Sequence, residues 1–326
     1  MMSELIQVEN LTKRFGELVA VDNISFTIER GEIFRFLGPN GAGKTTTLSI
    51  LSTLLSPSEG SAMVNGYNVC NQRANVRRSI GVVFQDPTLD EELTAWENMD
   101  IHRRLYGMKK SKEKINELLG LVELDNRKKQ LVKYFSGGMK RRLEIARGLL
   151  HEPSILFLDE PTLGLDPQTR NHLWDYIRNM NREKQVTIIL TTHYMDEAEK
   201  LSDRIAIIDK GKIIALDTPG ALKEQMGGSV IRIESSETAK VKAKLEHVDG
   251  LNNLSLHNGF VDVSLPNAEK RIADVIKTLD DIVIDSVSLQ IPTLEDVFLN
   301  YTGKTIREQE ASAKDRMRQH RRVSRR

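Results

Sequence analysis

The sequence has one cysteine, Cys70, and no uncharged apolar run near the ~18 residues that a membrane-crossing helix requires. A lone thiol excludes an intrachain disulfide and points to a reducing cytosol. No catalytic signature surrounds Cys70, so it is not read as a nucleophile. The opening residues Met1-Met2-Ser3-Glu4-Leu5 lack the basic region and apolar block of a signal peptide. Internal repeats and low-complexity tracts are also missing. Net charge is nearly absent, with 47 Lys+Arg against 46 Asp+Glu, but the balance is uneven. Residues 311–326 carry Lys314, Arg316, Arg318, Arg321, Arg322, Arg325 and Arg326 against Asp315, leaving 40 basic and 45 acidic residues elsewhere. The mildly acidic body gives no electrostatic case for nucleic acid, and none is expected as a partner. With 39% hydrophobic and 29% charged residues, disordered and fibrous classes are excluded. A length of 326 residues suggests about two domains, each with its own core.

Residues 1–225 alternate strand-like and helix-like segments. Ile6–Val8, Val21–Ile28, Glu32–Leu37, Ile80–Phe84, Ile155–Leu158, Val186–Thr191 and Arg204–Ile208 read as strands. The shortest of these are apolar and β-branched, as in a sheet covered on both faces. Lys44–Leu55 reads as a helix. Leu93–Leu105, Lys112–Leu121 and Met139–Leu150 give a helical insertion at about 90–150. Met226-Gly227-Gly228-Ser229 is a break. Residues 229–302 then read strand, helix, strand, strand, helix, strand, a βαββαβ order that fits a small ferredoxin-like α+β domain. Thr293 caps a short final helix, with Asp296 three residues on. Residues 303–326 form a polar, basic tail, expected to be disordered.

Gly38-Pro39-Asn40-Gly41-Ala42-Gly43-Lys44-Thr45 matches G-x-x-x-x-G-K-[ST], after an apolar strand and at the start of a helix. The glycines let backbone N–H groups converge on a phosphate, and the helix N-terminus adds its dipole. Lys44 is expected to reach the β- and γ-phosphates, with Thr45 on Mg²⁺ and Thr46 beside it. Ser154–Asp159 is an apolar strand ending in an acid and followed by Glu160. Asp159 suits the metal, and Glu160 suits a water attacking the γ-phosphate. Spacing alone stops at an Mg-nucleotide phosphohydrolase. It would equally fit a GTPase, a kinase or a DNA-repair ATPase.

Tyr134-Phe135-Ser136-Gly137-Gly138-Met139 precedes the acidic strand. Ser136 can cap the helix beginning near Met139. Ser-Gly-Gly between a phosphate loop and a Leu-Asp-Glu strand resembles the ABC transporter ATP-binding subunit over about residues 4–225. The resemblance implies an Mg-dependent P-loop ATPase with a helical subdomain. It also implies a head-to-tail homodimer in which Ser136, Gly137 and Gly138 of one copy contact the nucleotide of the other. Gln85 resembles the glutamine that senses Mg²⁺ and leads to the membrane-facing helices. His193 resembles the histidine that contacts the γ-phosphate, and Asp166 belongs to the loop crossing the dimer interface. Phe15 resembles the aromatic that stacks on adenine, with a buried core position as the other reading.

Gly211-Lys212-Ile213-Ile214-Ala215, the small C-terminal domain and Pro292-Thr293-Leu294-Glu295-Asp296-Val297-Phe298-Leu299 narrow the resemblance to the daunorubicin/doxorubicin-resistance exporter group. This implies a separate transmembrane permease subunit, export of a drug-like or lipophilic compound, and a peripheral place on the cytoplasmic face of the cell membrane. A soluble ABC protein of translation or DNA repair is the rival, but those usually carry two fused ATPase units or a long coiled-coil insertion. The basic tail suits anionic lipid headgroups. Met139 departs from the more familiar Gln without an expected loss of activity. Arg35 stands in the strand feeding the phosphate loop, where the family favours a small residue. It either pairs with an acid or is unfavourable. The second is expected, so that Arg35→Gly would raise stability and tighten nucleotide binding.

Overall fold

Period-two alternation along short, fully buried strands decides which side chains meet which layer in this chain. The structure is a computed structural model. It describes residues 4–86, 88–109, 112–226, 229–246, 248–251, 253–265 and 268–302. The break expected at 226–229 lies partly, and the basic tail wholly, outside the described residues. The chain divides into two units, Met1–Leu216 and Asp217–Arg326.

The first unit opens with β1 (Glu4–Phe15), β2 (Leu18–Glu29) and β3 (Ile33–Leu37), then α1 (Lys44–Leu51). β4 (Glu59–Val64), β5 (Tyr67–Asn68), α2 (Arg73–Ser79) and β6 (Ile80–Val83) follow. The helical part is α3 (Ala95–Leu105), α4 (Lys112–Leu121) and α5 (Gly137–Leu149). The unit closes with β7 (Ile155–Asp159), α6 (Pro167–Lys184), β8 (Thr187–Thr192), α7 (Met195–Leu201), β9 (Arg204–Asp209) and β10 (Lys212–Asp217). A four-stranded sheet runs β2-β1-β4-β5, and a six-stranded sheet runs β10-β9-β3-β8-β7-β6. In the latter the pairs β9–β3, β3–β8, β8–β7 and β7–β6 are parallel. α1 ends earlier than the expected Leu55, because Thr53 turns left-handed at φ 66°.

Two cores lie on opposite faces of the six-stranded sheet. Phe34, Phe36, Ile155, Phe157 and Ile189 pack with α1 and the four-stranded sheet. Ile33, Leu156, Leu158, Ile188 and Leu190 pack with α3 to α6. At about 25 cal/mol per Å² of apolar surface, such double coverage makes this sheet the main source of stability.

The second unit holds α8 (Pro219–Glu224), β11 (Val230–Glu234), α9 (Thr238–Leu245), β12 (Asn253–His257), β13 (Phe260–Ser264), α10 (Ala268–Lys277), β14 (Ser286–Gln290) and α11 (Leu294–Thr302). Its sheet runs β12-β13-β11-β14, every neighbour antiparallel, and Ile231, Ile233, Val261 and Val263 point into its core. This is the ferredoxin-like order. α8, counted with the first domain in the sequence reading, packs on α11, and Tyr301 Oη donates to Gln225 Oε1 at 2.8 Å.

Alternation places Arg35 on the α6 face of the sheet. It is 1% exposed, among the largest fully buried side chains, with its guanidinium 5.1 Å from the Trp174 ring centroid. Its Nε and Nη1 have no hydrogen-bond partner among the described residues. Burial lowers its pKa to about 10, against the opposing charges of Glu197 and Asp196. Glu197 is thus the acid that the sequence left unnamed, but it acts on Arg35 through space. Glycine here would exchange an unmet charge for an empty volume, so the gain expected of Arg35→Gly does not carry over simply. A volume-conserving Arg35→Met removes the charge and keeps the packing. It should stabilise the chain by roughly 1 to 3 kcal/mol, read as a higher melting temperature. A lower melting temperature would mean that attraction to Glu197 outweighs the desolvation of Arg35.

Candidate nucleotide site

The phosphate loop is shaped by two close backbone approaches. A Cβ at Gly38 would lie 2.1 Å from Ile208 O, and one at Gly43 would lie 2.5 Å from Ala20 O. Gly43 is also left-handed at φ 109°, so a side chain is excluded there on two counts. No side chain caps α1 at Gly43, so the first-turn N–H groups are left for an approaching anion. Lys44 is buried, and its Nζ donates to Gly38 O at 2.5 Å and Pro39 O at 3.0 Å. A loop whose carbonyls hold the lysine and whose helix start has no side-chain cap fits a polyphosphate.

β7 is buried throughout and delivers two adjacent acids. Asp159 Oδ1 accepts from Thr45 Oγ1 at 3.2 Å and from Thr191 Oγ1 at 2.5 Å. A hard oxygen donor from α1 and one from β7 within hydrogen-bond distance suit a divalent cation. Glu160 then turns left-handed at φ 44°, which aims its carboxylate away from that of Asp159. Thr191 Oγ1 accepts the Glu160 N–H at 2.9 Å and holds this turn. The Glu160 carboxylate sits between Lys44 Nζ at 3.8 Å and His193 Nδ1 at 3.0 Å. Burial pushes its carboxyl upward. The His193 hydrogen bond and charge, with Lys44, outweigh burial and leave it below the usual glutamate range. Glu160 is therefore an ionised acceptor at neutral pH.

The other expected residues are more dispersed. Phe15 is 45% exposed, with Lys13 Nζ 5.0 Å from its ring centroid, which excludes the core reading. Ser136 caps α5, which starts two residues before the expected Met139, by accepting from Met139 N–H at 3.3 Å, and is exposed with Gly137. Gly138 is buried, where a Cβ would press on Thr169 Cγ2 at 2.3 Å. Asp166 caps α6 by accepting from Thr169 N–H at 3.0 Å. Gln85 is exposed just past β6, and no hydrogen bond or ion pair joins it to Thr45 or Asp159 among the described residues. Asn40 and Gly41 are exposed, and Pro39 and Ala42 buried, within the loop; Thr46 lies in the first turn of α1.

Arg141 was missed by sequence reasoning. Its buried guanidinium donates to Asp159 O at 2.7 Å, Pro161 O at 3.0 Å, Glu144 Oε2 at 3.1 Å and the Phe84 carbonyl. It ties α5 to both ends of the acidic turn and to the residue before Gln85. The signal was the middle basic residue of Lys140-Arg141-Arg142, with Glu144 three residues on along the helix.

Residues 21–163 match the ABC transporter family, and residues 218–302 match the C-terminal domain of DrrA1-3-like ATP-binding proteins. The linearmycin resistance ATP-binding protein LnrL of Bacillus subtilis (strain 168) is 39% identical over 313 residues, covering 93% of this chain and all of that one. The chain belongs to the ABC transporter ATP-binding subunits. The daunorubicin/doxorubicin resistance ATP-binding protein DrrA of Streptomyces peucetius is 37% identical, covering 91% of this chain and 92% of that one. The Nod factor export ATP-binding protein I of Burkholderia lata is 37% identical, over 93% and 98%. A solved ATP-binding subunit of an ABC transporter superposes with a TM-score of 0.62 at 31% identity, over 68% of this chain and 93% of that one. A dimeric cassette in a post-hydrolysis state with ADP and Pi gives 0.59 at 29% identity, over 65% and 98%. The phosphate loop, acidic turn and capped α5 thus make up an ABC-type ATPase cassette. No described helix is long and apolar enough to cross a membrane.

Arg141→Met would leave Glu144 buried without its cation and three carbonyls without a donor. It should cost about 3 kcal/mol or more of stability, seen as earlier urea unfolding of the full chain. Arg141→Lys, which keeps the charge but not the fork, should recover only part. Unchanged unfolding of Arg141→Met would show that the network carries no stability.

Proposed function

We propose that this ABC ATPase works as an ATP-held, head-to-tail homodimer that energises export through a separate transmembrane subunit, on the cytoplasmic face of the cell membrane. The observation that carries the reading is the Glu160 carboxylate, ionised and poised between Lys44 and His193 at the end of β7. Lys44 and the first turn of α1 bind the β- and γ-phosphates. Phe15 offers an exposed face for adenine. Mg²⁺, held by Thr45 and Asp159 with Gln85 approaching on closure, would neutralise charge developing on the phosphates. Glu160 accepts hydrogen bonding from the attacking water, and His193 orients Glu160 and meets the γ-phosphate. Ser136 and Gly137 face outward, which suits contact with a nucleotide on a second copy. Asp166 at the α6 N-terminus lies on the same crossing.

The names of the relatives support a drug-like or lipophilic cargo. For the membrane subunit we favour the groove of about 370 Å³ beside Phe84, lined by Leu54, Arg77, Tyr106, Arg147 and His151. Its exposed Leu54, Phe84 and Tyr106 give an apolar floor next to Gln85.

Glu160→Gln should keep ATP binding but lose turnover by about a hundredfold or more. It should also accumulate an ATP-held dimer in size-exclusion chromatography, because the interface loses a charge and keeps its phosphate contacts. Full ATPase activity of that variant would remove Glu160 from the role. The seven basic residues within 311–326 favour contact with anionic lipid, at about 1 kcal/mol for each near the surface. Deleting 311–326 should leave ATP hydrolysis intact and weaken sedimentation with anionic vesicles at low salt. Equal vesicle binding before and after deletion would reject the lipid contact.

A further inference from the structure

Glu197 lies on α7 and belongs to none of the motifs described above. It is buried, and each carboxylate oxygen accepts from a buried threonine hydroxyl. Thr162 Oγ1 donates to Oε1 at 2.6 Å, and Thr192 Oγ1 donates to Oε2 at 2.9 Å. The two threonines come from different segments. Thr162 lies two residues past Glu160, and Thr192 immediately precedes His193. Thr192 Oγ1 also accepts from Tyr194 N–H at 3.0 Å, closing a short turn around His193.

The surroundings hold this arrangement from the outside. Arg170 Nε is 3.5 Å from Glu197 Oε1 and has no hydrogen-bond partner among the described residues, so it offsets charge without competing for the oxygen. Its guanidinium lies 4.7 Å from the Tyr194 ring centroid, and that ring meets the His193 ring at 4.0 Å. Arg35 is a second buried cation acting on Glu197 through space. Both oxygens are thus given to the two threonines, whose segments have no strand register in common beyond Asp159 and Thr191.

We infer that Glu197 is a positioning residue for ATP hydrolysis: through Thr162 and Thr192 it fixes the segment after Glu160 against the segment bearing His193. The inference rests on the ATPase reading of Glu160 and His193. No hydrogen bond or ion pair joins Glu197 to either residue among the described residues; it acts on the frames that carry them. The Glu160–His193 contact at 3.0 Å is short-ranged, and small displacements of reacting groups carry large rate penalties.

The test uses the full chain and valine for threonine, which keeps the shape and deletes the donor. Thr162→Val and Thr192→Val should each lower kcat about tenfold, the effect of one lost hydrogen bond on geometry. KM for ATP should stay close to wild type, while the melting temperature falls modestly because a buried carboxylate oxygen loses a donor. Thr162→Ser and Thr192→Ser, which restore the hydroxyl, should restore kcat. The paired valine variant should lose less than the product of the single losses, because both act through one carboxylate. Wild-type kcat in both valine variants would overturn the inference. So would a joint fall of kcat, ATP affinity and melting temperature, which would mark a general structural role. A wild-type chain that does not hydrolyse ATP would overturn the ATPase reading instead, and the inference with it.

Discussion

A strand buried along its whole length ends here in two adjacent carboxylates, and the rest of the nucleotide site answers that constraint. A carboxylate taken out of water without partners costs several kcal/mol, so each acid has to be met by donors from other elements. Asp159 is met by hydroxyls from α1 and β8, and Glu160 by Lys44 and His193. The left-handed turn at Glu160 keeps the two charges apart. That conformation is unfavourable for a residue with a side chain. It persists because Thr191 accepts the turn's N–H and Arg141 binds the carbonyls on either side of it.

The reach of sequence reasoning follows from how local each signal is. The phosphate loop, the apolar strand ending in Asp159 and the Ser136 cap are each written within a dozen residues, and the structure has them where they were read. The βαββαβ order was also legible, because every element there carries its own periodicity. α6 was not, although Asp166 and Pro167 mark a start by cap and first-turn proline. Its buried residues are only Leu173, Trp174, Ile177 and Met180 in an otherwise polar stretch, so the apolar stripe is thin. The antiparallel strands β4 and β5 were missed because short, glycine-bearing segments such as Glu59–Val64 show little alternation. For Arg141, spacing offered only the pairing with Glu144. The Arg141 partners Phe84 and Asp159 are 57 and 18 residues away, and they are backbone carbonyls, which no residue type advertises.

The same locality underlies the proposed dimer. Lys44 opens α1 and Glu160 follows β7, while Ser136 and Gly137 sit exposed at the N-terminus of α5. A capped helix start exposed to solvent is a ready anion site with no anion of its own in the chain. In the proposed dimer a second copy brings its own phosphate loop to face this site. Closure of that dimer would depend on the nucleotide's contacts to both copies, which loss of the γ-phosphate would remove. This is what a switch driven by differential affinity requires.

Two consecutive threonines at the end of β8 show how one strand serves both faces of the sheet. Alternation turns Thr191 toward Asp159 and α1, and Thr192 toward Glu197 and α7. The first face carries the loop that grips phosphate, and the second carries Arg35, Trp174 and the buried charge of Glu197. A one-residue slip of β8 would exchange these faces and turn each threonine away from its carboxylate. The register of β8 between β3 and β7 is therefore a condition for the charge balance on either side. Parallel pairing with Ile33–Leu37 and with Ile155–Asp159 enforces it from both edges. An arginine at position 35 is tolerated in that setting because the acid across from it is already anchored by its own threonines and needs from Arg35 only charge.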